Sequence, residues 1–561
     1  MIFGGIGGSV ADPVWLQHAH AALRAATLGE PSVGTVVKQL VDDESVGSEG
    51  IAQAVLCEER LTETGRRRLG EFRRKFQVDQ PPEPEGIIAF RVEEPIPAER
   101  ARRMSDDNWL QAMAVHAGER EIASRTGGTR EQARVLEELT RDEPYRFARL
   151  ALRLSPTVAA DYTNAILLGL GAASTVDDSA TVFEVVRHIA SMNNPANDRF
   201  FGSALRPYAA DVPLDIVETL RDRMVNATDP SDDGTRVWRR DASGAQQADV
   251  LSSGINTARG SLAQTLAVLL APDADGGRTA LIVPVLNKMS EDPSVPVRAA
   301  VALLIGASIR HAPIAARAAF ARLIDTEDRL LATSPVVRLL IYLGNDDPAA
   351  AMPVIDRMLA STYPSVREEG GRLSAFAALE WQRHEALTAA QALGPEVRQG
   401  IAYIAAHRLL ITSETDTAIA LLKDLFHDPE PAVRTAAADV TSTLRGEALR
   451  PFAAVLREFI SSPAFGEGIS QLLITLENAP DKIDDLVLHS VRQFITTVGT
   501  DVGDISTRAA AESQQVSQLI VRGLTQTDHA DERSALLDAL DELIRLNSLG
   551  IDDVVNASER G

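Results

Sequence analysis

The stretch DPSVPVRAAVALLIGASI, residues 292–309, decides the fold of this chain. Proline suits the first turn of a helix, where its missing N–H is not needed, so the prolines predict a helix start. The apolar residues that follow recur with helical spacing and share one face: Val297, Val301, Leu304, Ile305 and Ile309. Such a helix cannot bury its apolar face alone, so the stretch predicts that helices stack against each other.

The Pro-x-Val-Arg core of this stretch returns four times along the chain. The further copies are Pro335–Arg338, Pro364–Arg367, Pro395–Arg398 and Pro429–Arg434. Their arginines follow one another at intervals of 29 to 40 residues, which is the length of a helix pair with its turns. The sequence therefore predicts an all-α protein, an α-solenoid of stacked antiparallel helix pairs.

Two of the copies resemble HEAT repeats. Asp292-Pro293 with Val297-Arg298, and Asp428-Pro429 with Val433-Arg434, are similar to the inter-helix turn and second-helix start of that family. The resemblance covers about 275–450 and implies a structural ladder between adjacent repeats, formed by Asp292, Arg298, Arg338, Arg367, Arg398, Asp428 and Arg434. A phosphate-reading groove is the alternative. We favour the ladder, because the two aspartates lie in the same turns as arginines and can pair with them.

A second resemblance is wider. The strings Met104–Met113, Gly254–Gly260 and Asp325–Leu331 are similar to the C-terminal helical sensor region of large bacterial STAND-type, NACHT-like NTPases. Some members of that family are antiviral sensors. The resemblance spans about 85–555 and implies a trigger-sensing role. Because the chain contains no NTPase module, the resemblance implies either a truncated sensor half or a split one that is paired with a separate NTPase chain.

Proline-rich and polar stretches that interrupt the helical pattern divide the chain into five predicted segments. They are an N-terminal helical segment at 1–80, a Pro-rich linker at 81–100, a helical-pair array at 101–247, HEAT-like repeats at 248–450, and C-terminal helical repeats with a cap at 451–561. The linker follows from the prolines near Pro82, which lack a backbone donor. We expect a polar loop at about 226–247.

The amino-acid composition favours some classes of protein and disfavours others. The 561 residues are 45% hydrophobic and only 4% aromatic, a balance that favours helices over sheets. The net charge of -23 disfavours nucleic-acid binding, which usually needs a basic surface. The chain start lacks the features of a secretory signal, and no apolar run is long enough to span a membrane. Cys57 is the only cysteine, so no disulfide can form within the chain, and we expect a cytoplasmic protein.

No motif with catalytic, cofactor or metal chemistry stands out. No P-loop, Gly-x-Ser-x-Gly elbow or His-Glu-x-x-His string occurs. His18 and His20 fall on different helix faces, and the glycines of Gly4–Ser9 have no lysine beside them. The string Asp229–Gly234 resembles the start of a calcium loop, but Arg240 stands where the bidentate glutamate belongs. We therefore expect no catalytic, cofactor or metal site, and a protein that is not an enzyme.

One basic stretch is a candidate partner patch. It consists of Arg66, Arg67, Arg68, Arg73, Arg74 and Lys75. Leu69 and Phe72 interleave with these charges at helical spacing. This pattern is more typical of a solvated helix face, with partner binding as the alternative.

These observations indicate a non-catalytic scaffold for protein interactions, or a ligand-sensing solenoid. The expected partner is another protein: an NTPase, an effector chain or a phage protein. The alternatives are a HEAT-like enzyme that acts on nucleic acid and a structural assembly subunit. An enzyme of that kind needs a basic surface, against which the net charge argues.

Overall fold

The computed structural model describes residues 92–118, 127–173, 179–228, 237–240, 246–480, 482–503 and 507–548. Helices dominate this part of the chain. The first are α1 (Ala98–Arg102), α2 (Asp106–Val115), α3 (Thr129–Asp142), α4 (Pro144–Ala151), α5 (Ala160–Ala172), α6 (Ser179–Ser191), α7 (Phe201–Leu205) and α8 (Leu214–Asn226). After two short strands, β1 (Val237–Arg240) and β2 (Gln246–Asp249), come α9 (Val250–Ile255), α10 (Ala258–Leu270), α11 (Gly277–Ser290), α12 (Val295–Ser308), α13 (Pro313–Ile324), α14 (Ser334–Asp346) and α15 (Pro348–Leu359).

The remaining helices continue the same pattern. They are α16 (Pro364–Trp381), α17 (His384–Gln391), α18 (Pro395–Arg408), α19 (Thr415–Leu425), α20 (Pro431–Ala438), α21 (Val440–Thr443), α22 (Ala453–Ile460), α23 (Phe465–Glu477), α24 (Asp484–Val498), α25 (Arg508–Gln526) and α26 (Ala530–Arg545). Among the described residues, none of these helices combines the length and apolar character that a membrane crossing requires.

The helices stack in two rows. In one row α10 packs on α12, α12 on α14, α16 on α18 and α18 on α20. In the other row α11 packs on α13, α22 on α24 and α24 on α26. Short turns join a helix of one row to the next helix of the other, so consecutive helices run antiparallel. The protein is an all-α solenoid of stacked antiparallel helix pairs, as the sequence predicts.

The repeated Pro-x-Val-Arg segments form helix starts. Each of α12, α14, α16, α18 and α20 carries a proline in its first turn. Four of the five side chains in the predicted apolar stripe are buried, since Val297, Val301, Leu304 and Ile305 are all 0% exposed. Ile309 lies after the end of α12 and is half-buried. Because the spacing of these side chains matches the helix period, one face of each helix is covered by its neighbours.

A β-hairpin corrects one expectation. The polar loop expected at 226–247 contains β1 and the start of β2, and the two strands pair antiparallel, with Val237 opposite Asp249 and Trp238 opposite Ala248. Valine and tryptophan favour extended backbone, which a reading of the loop by overall polarity overlooks. The Ser253 hydroxyl in α9 accepts a hydrogen bond from the Val237 amide at 2.9 Å and holds the hairpin against that helix.

The chain divides into two compact units. The larger comprises residues 96–118 and 132–561, and the smaller comprises 1–95 and 119–131. In the smaller unit, the Gly127 amide donates a hydrogen bond to the Glu93 carbonyl at 2.7 Å. In the larger unit the buried side chains form two hydrophobic cores, and both draw on α16: Leu373 belongs to the first and Leu379 to the second.

Candidate functional site

The repeat arginines connect neighbouring helix pairs. Arg398, in the first turn of α18, binds both carboxylate oxygens of Asp428 in the next repeat, at 2.6 Å and 3.2 Å. The Asp428 side chain is only 6% exposed. The hydrogen bond with the Asp428 carboxylate holds the pKa of the Arg398 guanidinium above its ordinary value. The same arginine donates to the Leu393 carbonyl at 2.7 Å, so it closes its own turn as well.

Asp292 pairs with an arginine that the repeat motif does not reveal. Its carboxylate lies 2.8 Å from Nε of Arg259, at the start of α10 in the preceding repeat. Arg298, which we expected as a same-turn partner, instead donates to the Asp292 backbone carbonyl at 2.6 Å. Likewise Arg434 donates to the backbone carbonyl of Asp428, at 2.9 Å. The carboxylates thus pair across repeats, and the arginines bind carbonyls within their own turns.

Two further steps of this ladder use glutamate. Arg367 lies 3.0 Å from Glu396 in the next repeat, and Arg434 lies 3.0 Å from Glu467. Arg367 also donates to the Ser361 carbonyl of its own turn at 2.9 Å. The contacts with glutamate come from a different sequence position than Asp292 and Asp428, so the spacing of the aspartates does not predict them.

Arg338 differs from the other repeat arginines. Its side chain is exposed and has no hydrogen bond or ion pair with any residue that the structure describes. The physical reason lies in the next repeat. Asp292 and Asp428 each stand six residues before a repeat arginine, and at that position before Arg367 the chain has Ser361. Glu396, the partner of Arg367, stands two residues before Arg398, and at that position before Arg367 the chain has Ser365. With serine at both positions, the next repeat offers Arg338 no carboxylate where Arg367 and Arg398 find theirs.

Arg338 instead lines a groove between α12 and α14. The groove encloses about 800 Å³ and is open to solvent along one side. Its walls include three arginines (Arg310, Arg317 and Arg338), one aromatic ring (Tyr342) and one carboxylate (Asp346). Ala302, Leu303, Ile309 and Leu339 form its apolar floor. The volume is in the range of ligand sites in proteins.

Loose packing between α12 and α14 leaves room for the groove. A Cβ atom added at Gly306 would meet only Cδ2 of Leu339, at 3.7 Å, which is an ordinary contact. At other helix crossings glycine brings backbones together: a Cβ at Gly400 would lie 2.0 Å from the Glu368 carbonyl oxygen. The small residue in α12 therefore lies beside free space, whereas α16 and α18 touch directly.

The groove is a positive site on a negative chain. Arg317 is paired with Asp346 at 2.5 Å, while Arg310 and Arg338 have no partner among the described residues. Tyr342 is 50% exposed, and Ile314, next to the groove residue Pro313, is 85% exposed. Arginine and tyrosine are enriched where proteins bind each other, because both combine apolar area with directional hydrogen bonds.

Several candidates from the sequence lie outside the described residues. They are the basic stretch of Arg66, Arg67, Arg68, Arg73, Arg74 and Lys75, the residues Cys57, His18 and His20, and the strings Gly4–Ser9 and Asp229–Gly234. In the part of the chain that is described, no group of three or more His, Cys, Asp or Glu side chains is arranged to hold a metal ion. The groove can bind a ligand through charge and apolar contact.

The helix packing defines the class of this protein as an α-solenoid of stacked antiparallel helix pairs. No family model and no curated protein sequence matches the chain. Among solved structures, the crystal structure of Kap121p matches with a TM-score of 0.34 and 12% sequence identity, over 95% of this chain and 57% of Kap121p. The chain thus spans a little over half the length of Kap121p, and the fold class rests on the stacked helix pairs themselves.

Proposed function

We propose that this chain is a non-catalytic scaffold that binds a partner protein in the groove between α12 and α14. One observation carries the proposal: Arg338 is the repeat arginine whose side chain binds neither a carboxylate nor a backbone carbonyl of the described residues, and it joins Arg310 in an open groove. Two guanidinium groups without partners among the described residues thus lie in one groove of a chain whose net charge is -23. They are well suited to a ligand that carries carboxylates.

A nucleic-acid-acting enzyme is less well supported by the same geometry. Duplex DNA carries about one negative charge per 1.7 Å, so binding needs a basic track much longer than one groove. The other repeat arginines that could form such a track are engaged with acidic groups or backbone carbonyls. The net charge of -23 also disfavours binding of a long polyanion.

Within this proposal, the chain acts as the sensor part of a bacterial STAND-type defence or signalling system. The support is the resemblance of three strings to that family. In the structure those strings serve the fold: Trp109 is fully buried, Gly254 lies against the Pro296 backbone, and Asp328 pairs with Arg357 at 2.8 Å. An NTPase chain, an effector or a phage protein would be the partner.

Affinity purification of the tagged protein from its own host, with and without phage infection, tests the scaffold function. We expect mass spectrometry to recover a partner that is lost in the double variant Arg310→Ala/Arg338→Ala. Recovery of an NTPase or a phage protein would support the sensor role. If the wild type and the double variant recover the same proteins in the same amounts, the groove is not the binding site.

A further inference from the structure

We infer that the groove recognises an acidic, partly apolar segment of a protein, and that Asp346 occupies one of its three carboxylate positions in the free state. This inference rests on the proposed scaffold function and specifies the chemistry of the partner. The structure itself shows how a carboxylate binds there. The guanidinium of Arg317 holds the Asp346 carboxylate at 2.5 Å on the groove wall.

The other two arginines repeat that chemistry without an internal carboxylate. Arg310 lies in the turn two residues after the end of α12 and Arg338 lies near the start of α14, so they approach the groove from two different segments of the chain. Arginine binds carboxylates through paired N–H groups in a fixed plane. A partner segment with two carboxylates can therefore engage both arginines at once.

Apolar contacts complement the charges. The floor of the groove is formed by aliphatic side chains such as Leu303, Ile309 and Leu339, and Tyr342 lies at its side with half of its surface exposed. A segment that alternates carboxylates with aliphatic side chains satisfies both surfaces. A nucleic acid offers the anions but no aliphatic groups for the floor.

Asp346 limits the affinity for such a segment. Its carboxylate neutralises Arg317 and adds a negative charge at the groove, which repels an incoming carboxylate over short distances. The pair is about half exposed, so a ligand carboxylate can displace Asp346 without breaking a buried contact. Loss of the Asp346 charge therefore makes a third guanidinium available and strengthens binding of an acidic ligand.

Fluorescence anisotropy with a short labelled peptide of alternating Glu and Leu tests the inference on the full chain. We expect Arg310→Ala and Arg338→Ala each to weaken binding about fivefold, the size of one exposed charge contact. Asp346→Asn should tighten binding about threefold, by the loss of a repulsion of similar kind. All three side chains are exposed, so the variants should fold, and circular dichroism checks that they do.

The matched control is Arg445→Ala. Arg445 is exposed and lies two residues after the end of α21, as Arg310 lies two residues after the end of α12, but it does not line the groove. Its loss removes the same charge and should leave peptide affinity unchanged. A peptide with Gln in place of Glu should not bind.

Three results would overturn the inference. They are equal binding of the Glu and Gln peptides, equal loss of affinity in the Arg445→Ala and Arg338→Ala variants, and tighter binding of a single-stranded oligonucleotide at the same arginines. Failure here is distinct from failure of the scaffold function. If the host partner depends on Arg310 and Arg338 but the Glu peptide does not bind, the scaffold stands and the acidic segment does not.

Discussion

At the scale of single residues, the repeat ladder depends on charges that are largely out of water. The Asp428 side chain is 6% exposed and accepts both the Arg398 guanidinium and the backbone amide of Glu430, the latter at 2.9 Å. Asp292 has the same geometry, with Arg259 and the Ser294 amide, also at 2.9 Å. Each aspartate thus fixes a turn and joins two repeats with one carboxylate.

We expect Asp428→Ala to lower the free energy of unfolding by about 2 kcal/mol, because it removes the carboxylate that accepts from the Arg398 guanidinium and from the half-buried Glu430 amide. Urea unfolding measures the loss. Asp142→Ala is the control, since Asp142 forms a 2.7 Å pair with Arg102 in which both side chains are well exposed. That variant should cost at most about 1 kcal/mol. Equal losses in the two variants would contradict a structural role for the ladder.

The buried carboxylate of Asp273 should give stability a pH dependence. Burial alone would raise its pKa, but hydrogen bonds from the Thr279 hydroxyl at 2.7 Å and amide at 2.8 Å outweigh burial and lower the pKa. A lowered folded-state pKa gives stability that is complete above the unfolded pKa of about 3.9 and is lost as the pH falls through the folded value. Asp273→Asn should therefore cost about 1 kcal/mol at neutral pH and nothing in strong acid.

Glu369 should change the free energy of unfolding with pH in the opposite direction to Asp273. Urea unfolding at a series of pH values measures both effects. Burial raises the pKa of its carboxyl despite the nearby Arg372. A raised folded-state pKa means that the ionised form destabilises the protein at neutral pH, and that the penalty disappears as the pH falls below the unfolded value of about 4.3. Glu369→Gln should stabilise at neutral pH and have no effect in acid. Parallel pH curves for this variant and Asp273→Asn would refute the assignment.

The sequence predicts only those ladder arginines that lie in a recognisable local motif. Proline, valine and arginine in a fixed order predict a helix start. The sequence therefore predicts the repeat positions of Arg298, Arg367, Arg398 and Arg434. Arg259 belongs to the same ladder, but its helix starts at a Thr257 cap without proline or valine. Its position 39 residues before Arg298 is the remaining signal. Each aspartate pairs with an arginine of the preceding repeat. This pairing depends on how the helices stack, which the sequence of a single segment does not reveal.

At the scale of elements, glycines set how closely neighbouring helices approach. A Cβ atom at Gly371 of α16 would lie 2.1 Å from the Val397 carbonyl oxygen, and one at Gly400 of α18 would lie 2.0 Å from that of Glu368. The two helices therefore cross with their backbones in contact. In a sequence, glycine within a helix indicates only a weak helix former, so these crossings could not be predicted.

Substitution of glycine by alanine should have opposite effects on stability at Gly400 and at Gly306. Gly400→Ala should lower the free energy of unfolding by about 3 kcal/mol or more, because the backbones of α16 and α18 must separate. Gly306→Ala should raise it by up to about 1 kcal/mol, because alanine is the better helix former and its Cβ has room. Thermal unfolding of both variants checks the pair. A loss of stability in Gly306→Ala would contradict the loose packing that leaves the groove.

At the scale of the whole molecule, the predicted class of fold is correct while the groove was not foreseen. Helix periodicity and repeat spacing are properties of the sequence, and they suffice for stacked helix pairs. The groove arises because α12 and α14 stand apart near Gly306, and the sequence patterns around Gly306 and Gly371 do not reveal which crossing is tight. Arg338 was expected in the ladder, and only the packing shows that it lines a groove.

The two hydrophobic cores predict that the solenoid opens in parts. In a solenoid each repeat contacts only its neighbours, so a local defect need not spread along the chain. Leu266 is fully buried in the first core and Phe459 in the second, and alanine at either site should cost about 3 kcal/mol or more. Hydrogen exchange with mass spectrometry should show faster exchange at 258–346 in Leu266→Ala and at 395–498 in Phe459→Ala. Because α16 contributes to both cores, its exchange should rise in each variant, and equal acceleration over the whole chain in both would mean that the cores unfold as one unit.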